Sequence, residues 1–266
     1  INSHYLAAGA SVFAVSGYEY PGLDYKNVSF YAHDSIGTVY EEVTEGKNLP
    51  LTDDDMGPCV GCHMTAEEGS HNYLPYEFNA DGSFAYITPV CAECHAGEFT
   101  LTPEVIEEEE LGYEATLEIL SAALGKVGIF YSSSYPYFFN DPDDTSRGNG
   151  VRDWAKADSY PGGLDPQQAG KNTMGAAFNF NLAAHDPGGF AHNRFYYKRL
   201  LWDAIDWVDN YVLDGSVPDT ISTLQTDGSI SAEVAAEASA YLGSSRPGTG
   251  IPNRAPIPGL DPIKNF

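Results

Sequence analysis

The chain has 266 residues, enough for one large domain or two small ones, and its 42% apolar content can fill a real core. Thirteen basic residues stand against 38 acidic ones, for a net charge of −25; such a field repels nucleic acid and anionic membrane, and no nucleic-acid partner is expected. The apolar run Leu6–Val15 is too short to span a bilayer, contains Gly9 and Ser11 and lacks a basic flank, and no other stretch is longer, so no membrane span is expected.

In chain order, residues 1–50 read as β-rich. Val28–His33 and Thr38–Thr44 carry β-branched and aromatic residues with period-2 character, separated by Gly37. Residues 51–100 show little regular structure, apart from a hairpin signal in which Tyr76–Asn79 and Phe84–Ile87 flank a turn ending at Gly82. Helix signals dominate from there. Thr102-Pro103 opens a first helix, with Ile106, Tyr113, Leu117, Leu120 and Leu124 at helical spacing and Gly125 as its stop. Tyr131–Gly150 reads as a loop whose aromatic part is Tyr135–Phe139. Asp165-Pro166 opens a second helix that runs to Ala184, and Pro187-Gly-Gly189 breaks it. A third helix is expected from about Asn193 to Leu213 and a short fourth over Ala232–Leu242. Residues 244–266 hold five prolines and no periodicity and should be an extended tail. The fold class is therefore α+β with much irregular structure: one domain over 1–243 with a β segment, a central loop region at 51–100 and helices over 101–243, followed by the tail.

All four cysteines fall in that central region, in Cys59-Val-Gly-Cys-His63 and Cys91-Ala-Glu-Cys-His95. Both are C-x-x-C-H, the signature of covalent c-type haem attachment. The two thiols form thioethers to the porphyrin edge, and the next histidine lies under the iron as proximal ligand. This assigns Cys59, Cys62 and His63 to one haem c and Cys91, Cys94 and His95 to a second. A zinc ribbon is the competing use of paired C-x-x-C. It explains neither the histidine after each pair nor the 28 residues between Cys62 and Cys91. Two such haems would form much of the core.

Each iron then needs a sixth ligand or an open position. Met64 and Met56 are too close to His63 in sequence, and Met174 lies in an apolar helix where methionine is ordinarily core. Five histidines remain, His4, His33, His71, His185 and His192, a surplus over two positions, so both haems are expected to be bis-histidine, low-spin and low-potential. His192, at the start of the third helix, ranks first; His71 and His185 follow, then His33 as a candidate in a strand, and His4 last. Haem attachment to such motifs takes place outside the cytoplasmic membrane, which implies an extracellular or cell-surface protein, or a periplasmic one, after removal of a signal peptide.

Three segments, Val28–Gly46, Gly69–Gly97 and Lys171–Asn210, resemble parts of the secreted multihaem c-type cytochromes of metal-reducing bacteria; Ala191-His-Asn-Arg-Phe-Tyr-Tyr-Lys-Arg-Leu-Leu201 is similar to an element that supplies distal ligands there. The resemblance implies an electron carrier rather than an enzyme. Redox proteins or extracellular acceptors would be its partners, and copies of itself too if it polymerises head to tail, as some cytochromes of that kind do. A di-haem peroxidase is the alternative. It is disfavoured because such enzymes separate their motifs widely, whereas here the second begins 32 residues after the first. The tail, nearly free of acid and carrying Arg246, Arg254 and Lys264, is suited by charge to lie on a neighbouring acidic copy.

Overall fold

The structure is a computed structural model, and it describes residues 7–25, 33–35, 57–64, 73–95 and 100–247. The chain divides into two compact units, Ile1–Lys26 with Glu109–Gly248, and Asn27–Glu108 with Thr249–Phe266. Each is described by itself.

In the first unit the apolar run begins as helix α1 (Ala7–Val12), where Ala7, Ser11 and Val12 are buried. Residues 13–25 follow without helix or strand, and side chains satisfy part of their backbone, at Gly17, Tyr18, Tyr20 and Asp24. Asn179 makes two such bonds: its Oδ1 accepts from the Tyr18 N–H at 2.7 Å and its Nδ2 donates to the Tyr18 carbonyl at 3.0 Å. A Cβ on Gly175 would come within 2.1 Å of the Tyr18 ring, so the segment approaches only because that helix position carries no side chain.

Among the described residues of the second unit are α2 (Gly57–His63), a hairpin of β1 (Tyr76–Phe78) and β2 (Phe84–Ile87), and α3 (Pro89–Cys94). The hairpin is the expected one. Tyr76 pairs with Ile87, Gly82 adopts φ 83°, and Asp81 Oδ1 accepts from the Ser83 amide and hydroxyl. In the amino-terminal part, His33 lies in a 3-10 turn (His33–Ser35) rather than a strand. The rest of the two expected strands, residues 28–32 and 38–44, lies outside the described residues.

α4 (Pro103–Lys126) follows, with Thr102 ahead of a proline at its first position. It runs past Gly125, and Gly128, at φ 76°, takes the left-handed conformation beyond its end. The expected loop contains a second hairpin, β3 (Phe130–Tyr131) with β4 (Phe138–Phe139). Its rings are core: Tyr131 and Phe138 stand 4.7 and 6.3 Å from Phe180, centre to centre.

Phe180 belongs to α5 (Pro166–Ala184), capped by the Asp165 carboxylate on the Gln167 amide. A short α6 (Gly189–His192) separates it from α7 (Arg194–Asn210), where the Asn193 side chain caps the Tyr196 amide. The α5–α7 pair is the heart of the unit. α7 is buried nearly all round, with Tyr196, Leu200, Trp202, Ile205 and Val208 inaccessible to solvent. The same burial takes in Lys198, Arg199, Asp203 and Asp206, and each finds a counterpart. Asp206, for instance, accepts from the Gly215 and Ser216 amides ahead of α8 (Val217–Thr226). Burial raises its pKa and those amide bonds oppose the rise. α8 was not expected from the sequence; its three buried apolar residues, Val217, Ile221 and Leu224, sit among polar ones over only ten positions. α9 (Ala232–Leu242) has the expected bounds, with Ser231 capping the Val234 amide. Mixed helix and short strands make an α+β chain dominated by helix.

Candidate haem site

C-x-x-C places two thiols three residues apart, and an α-helix puts residues at that separation on one face. Both motifs use this. Cys59 and Cys62 lie one turn apart on α2, and His63 is its last residue. The segment expected to be irregular is therefore helical where the chemistry sits. Pro89, at the start of α3, suits the position because its missing N–H would have no partner there. Thr88 does not cap the helix; its hydroxyl contacts Cys91 Sγ at 3.1 Å. His95 follows immediately, held by its N–H on the Cys91 carbonyl at 2.8 Å. Cys59, Cys62 and Cys91 form no disulfide, which leaves them for thioethers. Burial pushes the Cys91 thiol above its ordinary pKa, so it stays protonated.

α2 has Cα atoms within 8 Å of both α3 and the turn that carries His33. The two motifs and a third histidine thus converge in one unit. His63 Nδ1 lies 2.7 Å from the Tyr73 carbonyl, which only accepts, so Nδ1 carries the proton and Nε2 the lone pair of the neutral ring. Metal-binding histidines are oriented by this kind of bond. Tyr73 adopts φ 59°, a conformation that costs a non-glycine residue about 1–2 kcal/mol. The His33 and His95 rings lie edge to face, with centres 6.1 Å apart and planes inclined at 67°. Both are half-buried.

His185 and His192 belong to the first unit. His185 closes α5, with Nδ1 2.8 Å from the Asn181 carbonyl and its ring 5.7 Å from that of Tyr137. His192 ends α6, with Nδ1 2.6 Å from Asp186 Oδ1. Gly188 lets the ring lie where it does, since a Cβ there would come within 2.8 Å of it. His4 and His71 lie outside the described residues, and nothing is said of the Cys94 side chain. Sequence reasoning missed Asp186, which lies between the expected helix end at Ala184 and the Pro187-Gly-Gly189 break. The signal was an acid between two candidate ligands, next to His185 and six residues before His192.

These thiol pairs, each on one helical turn with a histidine directly after, fit the attachment of haem c. The chain is similar to the C-type polyheme cytochrome OmcB of Geobacter sulfurreducens, in strains PCA and DL-1/KN400, with 43% identity over 256 residues. It is equally similar, at 43% over 256 residues, to the C-type polyheme cytochrome OmcC of strain PCA. Each match covers 93% of this chain but only 31–32% of the relative, so the chain spans about a third of the length of these curated relatives. No family model and no solved structure matches it. The resemblance to multihaem c-type cytochromes, read first from under half the chain, is borne out over nearly all of it. Among the described residues, no helix is long and apolar enough to cross a membrane.

Proposed function

We propose that this chain is a di-haem electron carrier, with one haem c on Cys59, Cys62 and His63 and a second on Cys91, Cys94 and His95, working outside the cytoplasmic membrane. The observation that carries the reading is the pair of C-x-x-C-H turns on the neighbouring helices α2 and α3. When bound, haem supplies the one-electron chemistry; the chain fixes the two irons near each other, orients the axial imidazoles and excludes water. Both irons are read as bis-histidine, with His192, His185 and His71 as the distal candidates that the sequence ranks first. The orientation of His185 and His192 through Nδ1 supports a role for either. The haems would complete the interior of the second unit. Intact-mass measurement on native protein is expected to find the polypeptide plus two haems after acid–acetone extraction; the bare polypeptide mass would end this reading.

The partners proposed are redox proteins or extracellular acceptors, and further copies of this chain in a head-to-tail polymer. Arg246 is already held inside its own unit by Asp203, so contact with another copy would rest on Arg254 and Lys264. Electron microscopy should show filaments of the intact chain that are lost on truncation after Pro247. Single particles at every concentration would refute polymerisation, and filaments that survive truncation would remove the tail's part in it.

A further inference from the structure

We infer that His33 is the distal axial ligand of the iron held by His95. The assignment rests on the reading of the second motif as a haem site, and it names a residue that sequence reasoning ranked behind His192, His71 and His185. A metal bound by one nitrogen from each of two imidazoles at about 2.0 Å, each ring centre lying about 1.1 Å behind its nitrogen, separates the ring centres by about 6 Å. The His33 and His95 centres are 6.1 Å apart. Trans ligands share only the nitrogen–metal–nitrogen axis, and two planes through one axis can be rotated by any angle, so 67° between the rings is compatible with both binding one iron.

The local structure supports the pairing. His95 is fixed directly after the thiols of its motif by a bond from its amide to the Cys91 carbonyl. His33 sits on a 3-10 turn against α2, which itself adjoins α3, so the turn is braced by the first motif while its ring faces the histidine of the second. Ordinary edge-to-face packing of two rings spans about 4.5–7 Å, so distance alone does not separate packing from ligation. Chemistry does, because one ring of the pair is the proximal histidine of a C-x-x-C-H motif. An iron closed by His33 has no position for peroxide. It exchanges electrons without binding a substrate, as a carrier requires.

The test uses the haem-loaded protein with His33→Ala and His33→Met, after intact mass has confirmed two haems in each. In His33→Ala, about half of the ferric haem is expected to become high-spin by electron paramagnetic resonance, and about half of the ferrous haem to bind carbon monoxide. Added imidazole should restore the low-spin signal. In His33→Met, one of the two potentials should rise and the other stay, since methionine ligation raises the potential of a c-type haem. Two haems per chain with unchanged low-spin signals and potentials in both variants would overturn the assignment of His33 and leave the di-haem reading standing. Absence of haem from Cys91 and Cys94 would instead remove the reading on which the assignment rests. A high-spin fraction that His33→Ala still produces when Cys91 and Cys94 are serine would place His33 on the first iron and overturn the pairing with His95.

Discussion

Asp203→Ala is expected to lower the stability of the first unit by about 3–5 kcal/mol, the usual result of breaking a buried ion pair. Asp203 is only 1% exposed on α7 and faces three donors. The Tyr25 hydroxyl donates at 2.5 Å, Arg246 Nε at 2.7 Å and Arg246 Nη2 at 2.8 Å. The same guanidinium donates to the Asp24 carbonyl at 3.0 Å and lies over the Tyr25 ring. Burial first, and then the Asp203 charge, raise the pKa of Tyr25 far above that of an ordinary phenol, so it stays a donor across the accessible pH range. Alanine leaves a half-buried guanidinium and a buried hydroxyl without their acceptor. Arg246→Ala leaves the more deeply buried partner, the carboxylate, and should cost at least as much. Replacing both with leucine should recover part of the loss, because neither charge then remains to be desolvated. Urea unfolding of the three variants measures this, and a loss under about 1 kcal/mol in both single variants would show that the pair does not hold the unit together.

Arg246 also marks where reading the sequence fell short. In sequence it is one of three cations in a proline-rich tail, and charge pattern suggests a role on another copy. The partner that decides the matter, Asp203, is 43 residues away on a helix whose sequence pattern exposes it to water. What the pattern does not contain is that α7 is central, packed by α5, α6, α8 and α9. Helix starts were legible where local chemistry sets them: Asp165-Pro166, Asn193 and Ser231 each cap their helix through a side chain. The hairpin at Asn79–Gly82 was legible for the same reason. At the candidate site, the six residues of the two C-x-x-C-H motifs are legible from spacing alone. The approach of His33 to His95 is not legible, since the two are 62 positions apart and such a contact leaves no periodic trace. The sequence pattern puts His33 in a strand, whereas it occupies a 3-10 turn.

Asp186→Ala is expected to destabilise the first unit by about 3 kcal/mol or more, since each buried donor left without an acceptor costs about 1–3 kcal/mol. Asp186 is 1% exposed. Its Oδ2 accepts from Ser11 Oγ of α1 at 2.6 Å and from the Tyr197 hydroxyl of α7 at 2.8 Å, and its Oδ1 receives His192 Nδ1 of α6 at 2.6 Å. One carboxylate thus ties together three helices, α1, α6 and α7. Its own backbone carbonyl accepts from Tyr113 of α4, and that bond survives the substitution. Asp186→Asn separates the structural role from the orienting one. An asparagine whose oxygen takes the place of Oδ2 still accepts from Ser11 and Tyr197, so most of the stability should remain. Its amide nitrogen then faces His192 Nδ1 as a donor, and the imidazole must present Nδ1 as an acceptor and carry its proton on Nε2. An Nε2–H nitrogen has no lone pair for iron. If His192 is a distal ligand through Nε2, this variant should lose that ligation with the fold intact, turning about half of the ferric haem high-spin. The nitrogen NMR shifts of His192 report the tautomer, and unfolding reports the cost. Asp186→Ala within about 1 kcal/mol of the parent chain would refute the structural role, and an unchanged His192 tautomer in Asp186→Asn would refute the orienting one.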